Sequence, residues 1–285
     1  MAISAHELHK QSTGSWLARL ELAYEKPLLR TVASHRKHYG PLLIQKPFYP
    51  EGEVCHSYLI HPPGGIVGGD EIELEVKVGT NAHALITTPA ANKFYRSVVK
   101  KAHLKQTLNV SDEAVLEWLP QESILFEGSQ VNMSTLVNLS RKSRFIGWEM
   151  TCLGRPASGD NYNRGSCFQR LEISVEGLPR MLDRVVIDSN NGIRTSPWGM
   201  GDNEVMAAIV VYPGNNEVLA AVRDYINNNN SDKLLLGVSL VDDLLVCRGL
   251  AKDAASLKEA LVAIWVALRP MVLGRSACQP RIWSM

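Results

Sequence analysis

The stretch "HPPGGIVGGD", His61 to Asp70, runs directly into "EIELEVKV", Glu71 to Val78, and that junction decides the fold. In the second stretch Ile72, Leu74, Val76 and Val78 alternate with Glu71, Glu73, Glu75 and Lys77. A period of two puts an apolar row against a core and a charged row in water, which is a β-strand. The four glycines and two prolines before it therefore lead into a strand, not a helix. A phosphate loop needs G-x-x-x-x-G-K-[ST] with a helix N-terminus behind it. Here Gly68-Gly69 runs into Asp70 and Glu71, whose carboxylates would repel phosphate, and the pattern G-x-G-x-x-G is absent. Two readings stay open. Gly64, Gly65, Gly68 and Gly69 build tight turns or bulges, supplying positive φ and close backbone approach. Alternatively they hold Asp70 at a wet, backbone-lined surface, where it binds a cation or a partner's basic group.

Working outward, residues 1–15 are polar and short of large side chains, and are expected to be loosely ordered. Strand-like segments then dominate to about residue 200: "WLARLELAYE", "VCHSYLI", "AHALITT", "HLKQTLNV", "VLEWL", "VNMSTLVNLS", "FIGWEM", "CFQRLEISVE" and "RMLDRVVID". Gly, Pro, Asn and Asp punctuate them. Many short strands suggest a sandwich, a barrel or a strand-rich solenoid, and the lack of a fixed repeat length weighs against a regular solenoid. After residue 200, "VMAAIVVY" reads as a buried strand and "NNEVLAAVRDYI" as a helix ended by Asn227–Asn230. "KLLLGVSL" and "LLVCRGL" read as a hairpin. A last helix is expected to start near Ser256 with a Ser256/Glu259 capping box, to bury Leu257, Leu261, Ile264 and Leu268, and to stop at Pro270. The expected fold is mainly β, with two helices in the C-terminal half laid on the same core, and residues 16–285 forming one domain.

The totals exclude several classes. The formal net charge is +1, with no basic stripe for nucleic acid. The apolar run "ALVAIWVAL" is too short to span a bilayer, and the N-terminus lacks the basic and apolar regions of a signal peptide. Five scattered cysteines are not a disulfide framework, so a reduced, cytoplasmic protein is expected.

Chemistry-bearing clusters are few. All eight histidines lie at or before His103, with His6/His9 and His35/His38 spaced i, i+3, yet there is no H-E-x-x-H or C-x-x-C. "TTPAANKFYRS", Thr87 to Ser97, gathers Lys93, Tyr95 and Arg96, either on a polar edge or on a contact surface. "LEWLPQESILFEGS", Leu116 to Ser129, sets Glu117, Glu122 and Glu127 among apolar residues, as solvent groups or as acids along a cavity. "GWEMTCLGRPASGD", Gly147 to Asp160, carries Glu149, Cys152, Arg155 and Asp160. No G-x-S-x-G elbow is present.

Taken together and in order, these four segments resemble the urease accessory protein UreD (UreH) family, over roughly residues 15 to 285 including the closing "RIW". Asn92 stands where that family usually has threonine or a small residue, and Asp160 where glutamate is common. The resemblance implies a β-helix-like or sandwich-like body with two helices and no catalytic activity. It implies a complex with the accessory proteins UreF and UreG that docks on apo-urease and helps nickel reach its metallocentre, with GTP hydrolysed by UreG. No cofactor is expected to be tightly bound. Nickel is expected to pass transiently along an internal, water-filled route with exchangeable ligands, since an ion bound too well does not leave. Asp70, and with it Glu149 and His61, are candidates for that route; Lys93, Tyr95 and Arg96 are candidates for a partner surface. The rival readings are a β-rich hydrolase using Asp70, Glu149 or Asp160, and a structural adaptor that never touches nickel.

Overall fold

The computed structural model describes residues 15–188 and 190–284. The loose N-terminus expected over residues 1–15, with His6 and His9, falls outside them apart from Ser15. The described chain opens with a hairpin, β1 (Leu17–Glu25) and β2 (Val32–Tyr39), and a short β3 (Leu43–Ile44). It then winds in coils. The first runs through β4 (Cys55–Ile60), the bridging residue Ile66 and β5 (Glu71–Val78). The second runs through β6 (His83–Thr87), β7 (Asn92–Phe94) and β8 (Ala102–Val110). The third comprises β9 (Val115–Leu119), β10 (Ser123–Leu125) and β11 (Gln130–Leu139), and the fourth β12 (Arg144–Leu153) and β13 (Ser166–Val175). Strands β14 (Leu178–Asp188) and β15 (Val205–Tyr212), helix α1 (Asn216–Asn229), the hairpin β16 (Leu234–Val241) and β17 (Leu244–Ala251), and helix α2 (Ala254–Leu273) complete the fold.

Like strands of successive coils pair in parallel, β4-β6-β9-β12 on one face and β5-β8-β11-β13 on another. The β1–β2 hairpin joins the second stack through a parallel β1–β5 pairing, while β14 on that stack and β3, β15 and the β16–β17 hairpin on the first add antiparallel strands, giving a seven-stranded sheet and a larger one. Ile66, β7, β10 and the end of β12 make a narrow third face. The molecule is thus mainly β and solenoid-like, with two helices. The solenoid is irregular, in keeping with the lack of a fixed repeat length: Glu71 pairs with His103, Ala102 with Val131 and Gln130 with Ser166, so the step changes from coil to coil. Sheet register needs matching faces, not matching lengths, and connections absorb the difference.

Ile72, Leu74, Val76 and Val78 are buried inside the coils, as the alternation requires. The helices do not share that core. They cover the outer face of the larger sheet and form a second apolar cluster, in which Leu257, Leu261, Ile264 and Leu268 meet Ile146, Trp148 and Ile209. A sheet flanked by packing on both faces has near-continuous apolar strands, which is the character of β15.

Helix ends differ from expectation. The N-cap of α2 is Asp253, which accepts from the Ser256 amide at 2.8 Å, so Ser256 lies within the first turn. Pro270 does not stop the helix, which continues to Leu273 and ends at Gly274 in the left-handed region. Proline removes the donor to the carbonyl of Val266, a residue on the exposed side. In α1, Asn228 and Asn229 remain helical and donate back to the carbonyls of Asp224 and Tyr225. The cap is Asn230, in extended conformation.

Candidate functional site

The four unusual segments of the sequence meet along the narrow third face. Ile66 bridges Phe94, Phe94 lies opposite Leu125, and Leu125 lies opposite Leu153, one residue from each segment. The glycines allow this stacking. A β-carbon on Gly65 would sit 2.0 Å from the Tyr95 ring, and one on Gly68 would sit 1.9 Å from Ser97 Oγ and 2.4 Å from the Lys100 carbonyl oxygen. Gly64 and Gly69 adopt positive φ. Asp70 is buried and its carboxylate closes the corner: Oδ1 accepts from the Trp16 amide at 2.8 Å and Oδ2 from the Val67 amide at 2.9 Å. Asp160 plays a similar role further along the stack, accepting from the amides of Glu127 and Tyr162.

Behind this face the coil interior holds a series of hollows. The first, about 120 Å³, is bordered by His61, Gly64, Gly65, Asn92, Lys93 and Gln106. The second, about 30 Å³, shares Asn92, Gln106 and Trp118 with it and reaches Thr135, Thr151, Glu149 and Gln169. The third, about 490 Å³, shares Glu149 and Gln169 and opens beside Asp183, Arg248 and Trp198. Asp70 lines none of these three. The strand alternation would put aliphatic side chains at the inward positions 106, 135, 149, 151 and 169. Instead they carry a polar seam. Thr135 Oγ1 donates to Gln106 Oε1 at 2.9 Å, Thr151 Oγ1 to Gln169 Oε1 at 2.9 Å, and Gln169 Nε2 to Glu149 Oε2 at 2.8 Å. Burial pushes the Glu149 carboxyl above the usual range, and the Thr135 hydroxyl and Gln169 amide beside it offset only part of this. Burial also pushes the His61 imidazole down, against the charge of Asp70.

On the outside of the third face, Tyr95 packs edge-on to Phe126 at 4.9 Å, and the Arg155 guanidinium lies 4.0 Å above the Phe126 ring. Arg96 is exposed beside Gly128. Lys93 borders the first hollow. Of the other histidines, His35 and His38 lie on opposite faces of β2. Among the described residues no group of three or more His, Cys, Asp or Glu side chains is placed to hold a metal ion together.

The model of the UreD urease accessory protein family matches residues 17–284. The chain belongs to the UreD family. It is 38% identical to urease accessory protein UreD of Citrobacter koseri, covering 97% of this chain and 94% of that protein. It is 36% identical to UreD of Alcanivorax borkumensis, over 99% and 98% of the two chains. It is 38% identical to UreD of Klebsiella aerogenes, over 94% and 96%. The UreD proteins are accessory proteins by name, and the three carboxylates of the hydrolase reading have separate partners: Asp70 and Asp160 backbone amides, Glu149 the amide of Gln169. No helix of the described chain is long and apolar enough to cross a membrane.

Sequence reasoning passed over one feature of this UreD chain, a buried ionic cluster between the larger sheet and α2. Fully buried Glu117 and largely buried Glu51 flank the fully buried Arg269. Arg269 donates to Glu117 Oε2 at 2.9 Å, to Glu51 Oε1 and Oε2 at 2.7 Å each, and to the Ser276 carbonyl. His83 Nε2 lies 2.8 Å from Glu117, His56 Nε2 lies 2.7 Å from Glu51, and Trp265 Nε1 donates to Glu117 at 2.7 Å. The available signal was local: Leu116 and Trp118 point inward, so Glu117 must point to the opposite face, and Arg269 follows Leu268 on the apolar side of α2. Burial alone would raise the Glu51 carboxyl, but His56 and Arg269 hold it at about 2. In the same way His83 and Arg269 hold Glu117 below the usual range.

Proposed function

We propose that this chain is a urease maturation factor, a non-catalytic scaffold and nickel conduit. It works in the cytoplasm with UreF and UreG to bring nickel to the metallocentre of apo-urease, and UreG hydrolyses the GTP. The observation that carries this reading is the series of hollows through the coil stack, each sharing wall residues with the next and lined by a polar seam that ends on Glu149. The seam offers amide and hydroxyl oxygens, one carboxylate and, at the His61 end, an imidazole. These are donors nickel accepts, and spread singly along a path they support exchange rather than capture. Lys93, Tyr95 and Arg96 serve as part of the surface that meets a partner. Asp70 supports the route indirectly, by holding the corner that forms its His61 end.

The test is co-expression of the urease subunits with the other accessory proteins, with and without this chain, followed by nickel analysis of the purified urease. Nickel should be largely missing without it. A Thr135→Val/Gln106→Leu variant, which closes the seam with apolar groups, should also leave urease nickel-poor while still recovering the partners. Full nickel loading in that variant would favour a structural adaptor, and full loading without the chain would end the proposal.

A further inference from the structure

We infer that the outer ridge of the third face, centred on the Tyr95–Lys101 loop, is the docking site for an acidic protein surface carrying apolar anchors. This deepens the partner contact of the proposed function and rests on that reading. Val98 and Val99 form the tip of the loop and are 85% and 87% exposed. They are held out rigidly: the Ser97 amide donates to the Gly128 carbonyl at 3.0 Å, Ser97 Oγ to the Lys100 carbonyl at 2.6 Å, and the Gly69 amide to the Lys101 carbonyl at 2.9 Å. A loop fixed to two neighbouring coils loses little freedom on binding. Beside it stands the Tyr95–Phe126–Arg155 stack, built from the residue types that anchor interfaces.

The charge of the ridge names the partner. Among the described residues no carboxylate pairs with Lys93, Arg96 or Lys101. The ridge's own acids are engaged, Glu127 with Arg164 at 2.9 Å and Asp160 with backbone amides. The surplus is therefore positive, and complementary charge steers association and fixes register. Because Lys93 borders the first hollow, a partner seated here covers its His61 end and neutralises the cations around it. An anionic membrane would also suit cations and an apolar tip. Two valines bury little in a bilayer, however, and a stacked aromatic–guanidinium pair suits a protein surface better.

The experiment titrates the full chain with purified apo-urease and with UreF, each at low and high salt. Wild type is compared with Val98→Asp/Val99→Asp and with Arg96→Glu/Lys101→Glu, and melting temperature monitors folding. Affinity for one of these partners should fall at least tenfold in both variants, and the charge reversal should flatten the salt dependence. Melting temperature should be unchanged, since the substituted side chains are exposed. If wild type binds a partner and both variants bind it equally well, the ridge is not the docking site while the proposed function stands. If wild type binds neither, the proposed function itself fails. Binding to phosphatidylserine vesicles that the valine variant abolishes, with protein affinities unchanged, would assign the ridge to membranes and overturn the inference.

Discussion

Replacing Arg269 with methionine keeps much of the aliphatic stem and removes only the guanidinium. What remains is two buried carboxylates, Glu51 and Glu117, that have lost their shared cation, and a Ser276 carbonyl that has lost its donor. Removing one partner of a buried pair typically costs ~3–5 kcal/mol, because the other charge stays buried and uncompensated. Here one cation serves two carboxylates, so the upper part of that range is expected. At ~2 °C per kcal/mol for a chain of this size, the melting temperature should fall by roughly 8–10 °C. Arg269→Lys should recover little of this, since a single ammonium cannot reproduce a planar fork that meets both carboxylates. Adding Glu117→Gln to Arg269→Met should cost less than the two changes separately, because each leaves the other's charge in want of a partner. Urea titration monitored by tryptophan fluorescence suits the measurement, since Trp265 donates directly to Glu117. A methionine variant within about 1 kcal/mol of wild type, or strict additivity in the pair, would refute the assignment of the cluster as one electrostatic unit.

Three further outcomes follow. Glu51 and Glu117 have folded-state values below the usual carboxylate range, so their contribution is complete above about pH 4.3 and is lost as pH falls from there toward 2; the stability gap between wild type and Arg269→Met should shrink across that window in acid titrations. Glu149 is shifted the other way, so its folded-state penalty grows as pH rises through its raised value; Glu149→Gln should melt at or above the wild-type temperature at pH 8 yet lower urease activation, and full activation would remove Glu149 from the route. Asp70→Ala leaves the Trp16 and Val67 amides without their acceptor, a loss of about 1–3 kcal/mol; faster hydrogen exchange at those two amides should accompany it, and unchanged protection would show that the carboxylate does not hold the corner.

The elements of the fold legible in the sequence are those in which one strand carries its own evidence. "EIELEVKV" shows its inner and outer faces without help, and "VMAAIVVY" shows that both of its faces are covered. The coil stack is not written that way. Strands β7 and β10 have three residues each, too few for alternation to register, and the varying steps between coils erase any repeat. The glycine-rich corner was legible as a difficult turn. Its purpose was not, because the groups that crowd Gly65 and Gly68 belong to the next coil. The same holds for Asp70, whose chemistry looks free until the Trp16 and Val67 amides are brought to it. The ionic cluster is the extreme case: Glu117 and Arg269 lie far apart in the chain, and only the packing of α2 on the larger sheet makes them partners.

The polar seam and the ionic cluster lie on opposite faces of the larger sheet, and this division has an energetic logic. Each inward amide or hydroxyl replaces an aliphatic group that would have tightened the coil interior, and a buried polar group is tolerable only when hydrogen-bonded. The seam meets that condition internally, through the Gln106–Thr135 and Thr151–Gln169–Glu149 links. Even so, it leaves space where a solid core would have had contacts. The opposite face is covered by α2, whose Leu257, Leu261, Ile264 and Leu268 are buried against it. Arg269 adds a tether from α2 to β9, at Glu117, and to Glu51 before β4. A wall that gives up packing contacts on one side is held from the other, and in this chain that backing is the helix.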